Sequence, residues 1–196
     1  MSKKLSIIIV TYNSESVIQE CLESIEKYND IGDELEIIIV DNSPIFTIEE
    51  FIHKLHFDLD IKMIHNPKNG GFGQGNNIGV KASHGDILLI LNADTIIIEA
   101  IFSYILEEFE NPFLTVAGFK LIGRNGMVND SFAFFPEYNY MYFFIPIKLL
   151  YFLVLKLGMF SKSIFPWGAD LIVRKKDFID AGMFDENIFL CNEEPD

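Results

Sequence analysis

Leu5-Ser6-Ile7-Ile8-Ile9-Val10-Thr11-Tyr12-Asn13 is the stretch that decides the fold class. Leu5–Val10 is a short, continuous, β-branched apolar run bounded by polar residues. A strand buried on both faces of a parallel sheet reads this way, whereas a strand with one wet face alternates. The pattern recurs at Glu36–Val40, Ile61–Ile64 and Ile87–Leu91. Helical spacing lies between these runs. Ser14–Tyr28 carries Ile18, Cys21, Leu22 and Ile25, with Asn13 or Ser14 as N-cap. Thr47-Ile48-Glu49-Glu50 has the form of a capping box that opens a helix to about Leu55. Gln74–Ser83 and Ile98–Phe109 read as further helices, and Thr115–Phe119 as a fifth strand. This alternation predicts an α/β fold: an open, mostly parallel sheet with helices on both faces and right-handed crossovers.

In such sheets ligands bind beyond the carboxyl ends of the strands. Thr11, Asp41, the loop at Gly70 and Asp94 all fall at such ends. Four polar elements are therefore expected along one sheet edge.

Composition narrows the function further. Apolar residues make up 49% of the 196, enough for a sizeable core, so a disordered chain is excluded. A net charge of −14 repels phosphate backbones and argues against a nucleic-acid partner. Two distant cysteines, Cys21 and Cys191, make neither a disulfide framework nor a zinc site. Leu5–Val10 is too short for a signal peptide, and Thr11-Tyr12-Asn13 follows it instead of a small-residue cleavage site. The cytosol is the expected compartment.

The glycine-rich loop Asn66-Pro67-Lys68-Asn69-Gly70-Gly71-Phe72-Gly73 leads into Gln74 and Gly75. A dinucleotide fingerprint fails here, because Asn76 and Ile78 stand where a third glycine would fall. A phosphate-binding P-loop fails too, with no Gly-Lys-Ser/Thr following. Two readings stay open: a plain turn, or backbone that approaches a ligand closely and turns helix-start amides toward an anion. Asp94, with Asn92 two residues before it, either caps the following helix or binds a hard cation that also holds a diphosphate. Asp41 either makes an Asx-turn with Ser43 or accepts hydrogen bonds from a nucleotide base or ribose. Glu193 and Glu194, taken alone, read as a solvated acidic end.

The second half is less regular. Asn125-Gly126 is a hairpin-type turn, Leu171–Val173 reads as a strand and Lys176–Ala181 as a helix. Tyr138–Phe160 is intensely apolar and aromatic, broken by Pro146 and carrying Lys148 and Lys156. It reads either as a helix buried in the domain or as a segment resting on a membrane, where a polyprenyl-linked acceptor would be presented.

Taken together, these segments resemble the family 2 glycosyltransferases of GT-A fold, and in particular their rhamnosyltransferase-like branch. Ser6–Asn13 resembles the opening strand and uridine-contacting turn. Glu36–Ser43 resembles the second strand with its base-binding Asp, and Asn66–Gly79 the loop and helix that follow. Leu89-Ile90-Leu91-Asn92-Ala93-Asp94-Thr95 stands where the family places its metal-binding D-x-D motif, with Asn92 in place of the first Asp. Trp167-Gly168-Ala169 and Gly182-Met183-Phe184-Asp185-Glu186 resemble the acceptor-side segment. Glu193-Glu194-Pro195-Asp196 aligns with the family's E-D-x-D, whose second residue is the usual base.

The resemblance implies a site. Donor contacts fall on Thr11, Tyr12, Asn13 and Asp41, then on Asn69, Gly70, Asn76 and Asn77, then on Asn92, Ala93 and Asp94. Asp94 holds Mg2+ or Mn2+. Trp167, Gly168, Ala169 and Glu193 lie on the acceptor side, and Glu194 is the base. Residues 1–120 form the nucleotide-sugar-binding half and 121–196 an acceptor-side segment of the same domain. The family continues beyond this point, so an incomplete acceptor site is expected. The implied reaction is inverting transfer from a UDP- or dTDP-sugar to a glycan or polyprenyl-linked acceptor in bacterial surface polysaccharide synthesis, in the cytoplasm or peripherally on the inner membrane face. A nucleotidyltransferase is the rival within enzymes, but Thr11–Glu15 has neither the glycine nor the Lys/Arg of its basic loop. A non-catalytic nucleotide-sugar-binding protein is the rival outside them.

Overall fold

Each β-branched run found in the sequence becomes a strand of one sheet. The computed structural model describes residues 2–123, 126, 132–134, 164–166 and 170–189. In chain order the elements are β1 (Leu5–Thr11), α1 (Glu15–Tyr28), β2 (Leu35–Asp41), α2 (Thr47–Leu55), β3 (Ile61–His65), α3 (Gly71–Ala82), β4 (Ile87–Leu91), α4 (Phe102–Glu108) and β5 (Val116–Ala117). There follow β6 (Phe132–Phe134), β7 (Ile164–Pro166), β8 (Asp170–Arg174) and α5 (Lys175–Asp180). The chain divides into two units: Met1–Ala117 with Gly168–Glu194 and Asp196, and Gly118–Trp167 with Pro195. In the second, β6 and β7 pair antiparallel.

The first unit holds a six-stranded sheet of order β3-β2-β1-β4-β8-β5. β1, β2, β3 and β4 run parallel, and β8 runs antiparallel to both β4 and β5. From β1 the chain moves one way through α1 and α2. It then turns back through α3 to place β4 on the other side of β1. Right-handed crossovers put helices made in opposite directions on opposite faces. The α3 face buries Ile8, Ile38, Val40, Leu88, Ile90, Leu171 and Val173 against Val80 and Phe184. Alternate residues Ile7, Ile9, Ile37, Ile39, Leu89 and Ile172 are equally buried and face the other side. Among the described residues no helix is long and apolar enough to cross a membrane.

Several expectations are corrected. The predicted fifth strand is a sheet edge that does not lie beside β4. That place is taken by β8, and only Val116–Ala117 of Thr115–Phe119 is extended. The helix expected over Ile98–Phe109 forms only over Phe102–Glu108. The capping box does not form: Thr47 is already inside α2, and its hydroxyl donates to Glu15 Oε1 at 2.5 Å, joining α2 to α1. Most tellingly, α3 begins at Gly71 instead of Gln74. Glycine is a poor helix former, but these glycines allow close approach. A Cβ at Gly75 would sit 2.8 Å from Val10 Cγ1, and one at Gly79 would sit 2.4 Å from Ile8 Cγ2. The helix lies so near β1 that only hydrogen fits.

At the end of the sheet opposite the polar strand ends, Glu36 is buried. Its Oε1 accepts from Ser6 Oγ at 2.5 Å, from the Gly85 amide at 3.2 Å and from the His84 amide. Its Oε2 pairs with His84 Nδ1 at 3.0 Å. Burial pushes this carboxyl up, but the hydrogen bonds from Ser6, His84 and Gly85 outweigh it and hold it below its ordinary range.

Candidate functional site

Parallel pairing sets Thr11 opposite Asp41 and Asp41 opposite His65, so three strands end together. Asp41 is completely buried. Its Oδ1 accepts from Thr11 Oγ1 at 2.9 Å, Ser43 Oγ at 2.7 Å and the Ser43 amide at 3.3 Å. Its Oδ2 is buried with no partner. The Asx-turn reading of Asp41 is met on one of its two oxygens. Oδ1 closes the turn with Ser43, and Oδ2 takes no part in it. Thr11, 1% exposed, supports Asp41 and presents no free hydroxyl. Tyr12 is 52% exposed. Asn13 has φ +49° and donates its amide to Ser43 Oγ at 2.8 Å. Ser14 is the N-cap of α1, yet its hydroxyl bonds the Tyr12 amide and carbonyl instead of the helix.

The β3–α3 loop joins the same edge. The Asn66 amide donates to the Asp41 carbonyl at 2.8 Å. A line of side-chain amides runs behind it. Asn66 Nδ2 donates to Asn42 Oδ1 at 2.8 Å and to Gln74 Oε1 at 3.2 Å, and Asn42 Nδ2 donates to the Gly71 carbonyl at 3.1 Å. Sequence reasoning gave no role to Asn42 or Asn66, and to Ser43 only the Asx-turn. Their one signal was their place just past strands β2 and β3. Asn69 holds φ +44°, a conformation that asparagine tolerates, and its Oδ1 accepts the Gly71 amide at 3.4 Å. Gly70 beside it is half-buried. The Phe72 amide goes to the Phe189 carbonyl, so these helix-start amides serve the chain itself. Asn76 is fully buried and donates to the Phe72 carbonyl at 3.0 Å, and its Oδ1 has no partner. Asn77 was grouped with the donor contacts. It spends its donors on the Phe184 carbonyl and the Glu186 carboxylate, which is a holding role.

Past β4, the Thr95 amide closes a turn on the Asn92 carbonyl at 3.1 Å, and Ala93 is buried beneath it. Asp94 stands exposed on this turn. It caps no helix, because α4 starts only at Phe102. Under the turn, the Cys21 sulfur lies 4.0 Å from the Asn92 carbonyl. Burial, and then the charge of Asp94, push this thiol up to about 12, so it stays neutral. Asp170 starts β8 opposite Leu91 and is buried. This carboxylate at the same edge was not singled out from sequence.

Among the described residues no three His, Cys, Asp or Glu side chains cluster as a metal site. One exposed carboxylate with an amide neighbour suits an ion that takes its remaining oxygens from phosphates and water, as Mg2+ and Mn2+ do. Glu193, Glu194, Trp167, Gly168, Ala169 and the stretch 138–160 lie outside the described residues.

The model of glycosyl transferase family 2 matches residues 6–165. The uncharacterized glycosyltransferase EpsJ of Bacillus subtilis is 33% identical over 115 residues, which are 58% of this chain and 33% of that protein. The poly(ribitol-phosphate) beta-N-acetylglucosaminyltransferase TarS of Staphylococcus aureus is 32% identical over 92 residues, 46% of this chain and 16% of that one. TarS 1-349 in complex with UDP-GlcNAc superposes with a TM-score of 0.66 at 22% identity, covering 98% of this chain and 51% of that chain. The mannosyltransferase PcManGT from Pyrobaculum calidifontis, in complex with GDP-Man and Mn2+, gives 0.70 at 14% identity, over 96% and 49%. The chain thus spans a third or less of these two sequence relatives and about half of each solved chain. The solved structures carry the same fold, and the family match runs through Thr11, Asp41 and Asp94 at the strand ends: the chain belongs to glycosyl transferase family 2 and has its GT-A architecture.

Proposed function

We propose that this chain moves a sugar, with inversion, from a UDP- or dTDP-linked donor to a hydroxyl of a glycan or lipid-linked acceptor in bacterial surface polysaccharide synthesis. The observation that carries this reading is the partnerless Oδ2 of buried Asp41. Leaving a buried acceptor unpaired costs about 1–3 kcal/mol, and an N–H of a pyrimidine base or an O–H of ribose removes that cost. Asp94 stands past β4, on the other side of β1 from Asp41. Two strand spacings, roughly 10 Å, separate β2 from β4, and a nucleoside diphosphate bridges that span. The UDP-GlcNAc complex of TarS supports the donor class, and the GDP-Man and Mn2+ complex of PcManGT supports a divalent ion.

In this reading Tyr12, Asn13, Asn69, Gly70 and Asn76 bound the nucleoside around Asp41, while Asn92 and Ala93 shape the turn that presents Asp94. Asp94 would hold Mg2+ or Mn2+, which when bound offsets the charge developing on the leaving diphosphate. Glu194 takes the proton of the acceptor hydroxyl as that oxygen attacks the anomeric carbon in line. Glu193 orients the same loop, and Trp167, Gly168 and Ala169 face the acceptor. The aromatic stretch 138–160 supports an acceptor presented at a membrane surface.

The test is thermal unfolding with a panel of nucleotide-sugars, with and without Mn2+, followed by transfer assays on the binders. A ligand of the folded state must raise Tm, by about 2.7 kcal/mol of stability at one hundred times its Kd. UDP- or dTDP-sugars are expected to raise it, more so with Mn2+. A panel in which neither does so overturns the reading.

A further inference from the structure

Asp41 is flanked on one face of the sheet by its in-register neighbours, Thr11 on β1 and His65 on β3. Thr11 bonds its carboxylate directly. His65 acts through the turn that follows β2. Its Nε2 lies 2.9 Å from the Ser43 carbonyl oxygen. A carbonyl only accepts, so Nε2 carries the hydrogen and donates it. The same ring lies flat on Phe46, with centroids 4.7 Å apart and planes 9° from parallel. One side chain thus holds both ends of the turn 43–46 against β3.

Ser43 passes this hold on to Asp41. Its hydroxyl oxygen accepts the Asn13 amide at 2.8 Å. Its single hydroxyl hydrogen goes to Asp41 Oδ1 at 2.7 Å, and its amide donates to the same oxygen at 3.3 Å. With Thr11, that oxygen takes three donors, which exhausts its lone pairs. Ser43 is 2% exposed, so water does not compete for these bonds. Of the two Asp41 oxygens, only Oδ2 has no partner among the described residues.

A carboxylate with one open oxygen and a carboxylate with two select different bases. Uracil and thymine present a single N–H between two carbonyls, and one acceptor satisfies it. Guanine presents two parallel donors, N1–H and N2–H, which a carboxylate takes with both oxygens. At Asp41 the second guanine donor would meet an oxygen that is already full, and it would be buried unpaired. We propose that His65 and Ser43 are specificity-determining positioning residues: they keep Oδ1 occupied, so that Asp41 accepts one N–H and selects uracil or thymine against guanine. The proposal rests on the reading of Asp41 as the acceptor for the base of the donor.

The experiment measures calorimetric affinities for UDP and GDP at fixed Mn2+, on the full chain and on His65→Phe, His65→Gln and Ser43→Ala, each checked by a melting curve. The parent is expected to prefer UDP by about 10–100-fold, the effect of one unpaired buried donor. His65→Phe keeps an aromatic ring over Phe46 and removes the donor, and Ser43→Ala removes the hydroxyl. Each loosens the hold on Oδ1, and each is expected to shrink the preference by about tenfold, through weaker UDP and unchanged or tighter GDP. His65→Gln puts a donor back at similar reach and keeps the preference within about twofold of the parent. Equal weakening of UDP and GDP makes the turn a prop of the fold only and overturns the proposal. So does a preference lost as fully in His65→Gln as in His65→Phe, because the N–H donor is then not what sets it. If His65→Phe does not fold, Ser43→Ala decides alone, and a parental preference there overturns the proposal. A parent that binds neither UDP nor dTDP overturns the reading of Asp41 and this proposal with it. A parent that binds UDP, and GDP as tightly, overturns the proposal alone.

Discussion

Thr11 Oγ1 donates to Asp41 Oδ1 at 2.9 Å across the β1–β2 pair, in register with the last residues of both strands. Together with Ser43 it saturates one carboxylate oxygen and turns the other, Oδ2, into a buried acceptor without a partner. A carboxylate held so firmly by its own chain is already oriented when a ligand arrives, so little ordering cost falls on binding.

Asp41→Ala should therefore weaken nucleotide binding by about 1–3 kcal/mol. Thr11→Val should weaken it less, because Ser43 still orients the carboxylate. Isothermal titration with UDP and dTDP measures both. Unchanged affinity in a folded Asp41→Ala protein would reduce Asp41 to a turn former.

Asp94→Ala should abolish the metal dependence of nucleotide-diphosphate binding and leave the fold alone. Asp94 is exposed on a turn, and exposed substitutions usually stay within about 0.5 kcal/mol. Titration of UDP with and without Mn2+, beside a melting curve, separates the two effects. Persisting metal dependence refutes the assignment.

Glu194→Gln should leave donor and metal binding unchanged while transfer falls by about 10²–10⁴, since the amide keeps the size but loses the basic oxygen. Glu193→Gln should do less. Single-turnover transfer is the measurement. A parental rate would move attention to Asp185 or Asp196.

Glu36 predicts a pH dependence of stability. Its folded-state pKa lies below the ordinary value, so its contribution is fully present above the unfolded value of about 4.3. That contribution is lost as pH falls through the folded value. Glu36→Gln should accordingly be less stable than the parent at pH 7, by about 1–3 kcal/mol for imperfectly matched buried partners. The gap should close toward pH 3. Urea midpoints at the two pH values test this, and a gap that persists or widens in acid contradicts the sign.

Gly79→Ala sets two effects against each other. Alanine favours the helix by about 1 kcal/mol, but its Cβ would fall 2.4 Å from Ile8 Cγ2, and overpacking costs about 1–3 kcal/mol. The clash should win, lowering the urea midpoint without changing the slope. A stabilised variant would mean that α3 can lift from β1 at no cost.

The alternating strands and helices, the parallel run of β1 to β4 and the polar strand ends that carry Thr11, Asp41 and Asp94 were all legible in the residue pattern. Burial on both faces demands unbroken β-branched runs, and that demand is written locally. It also marked Leu171–Val173 as a strand. Its place between β4 and β5 was decided only by tertiary pairing across about eighty residues of chain, which leaves no local trace. Gly71 and Gly73 read as loop because propensity is local. The structure extends α3 back over them, where a Cβ would meet the Phe189 carbonyl at Gly71 and Phe184 at Gly73. In the same way Asn77 carried no sign of its role. An amide side chain takes its meaning from the groups that it meets, and Phe184 and Glu186 reach it only in the folded chain.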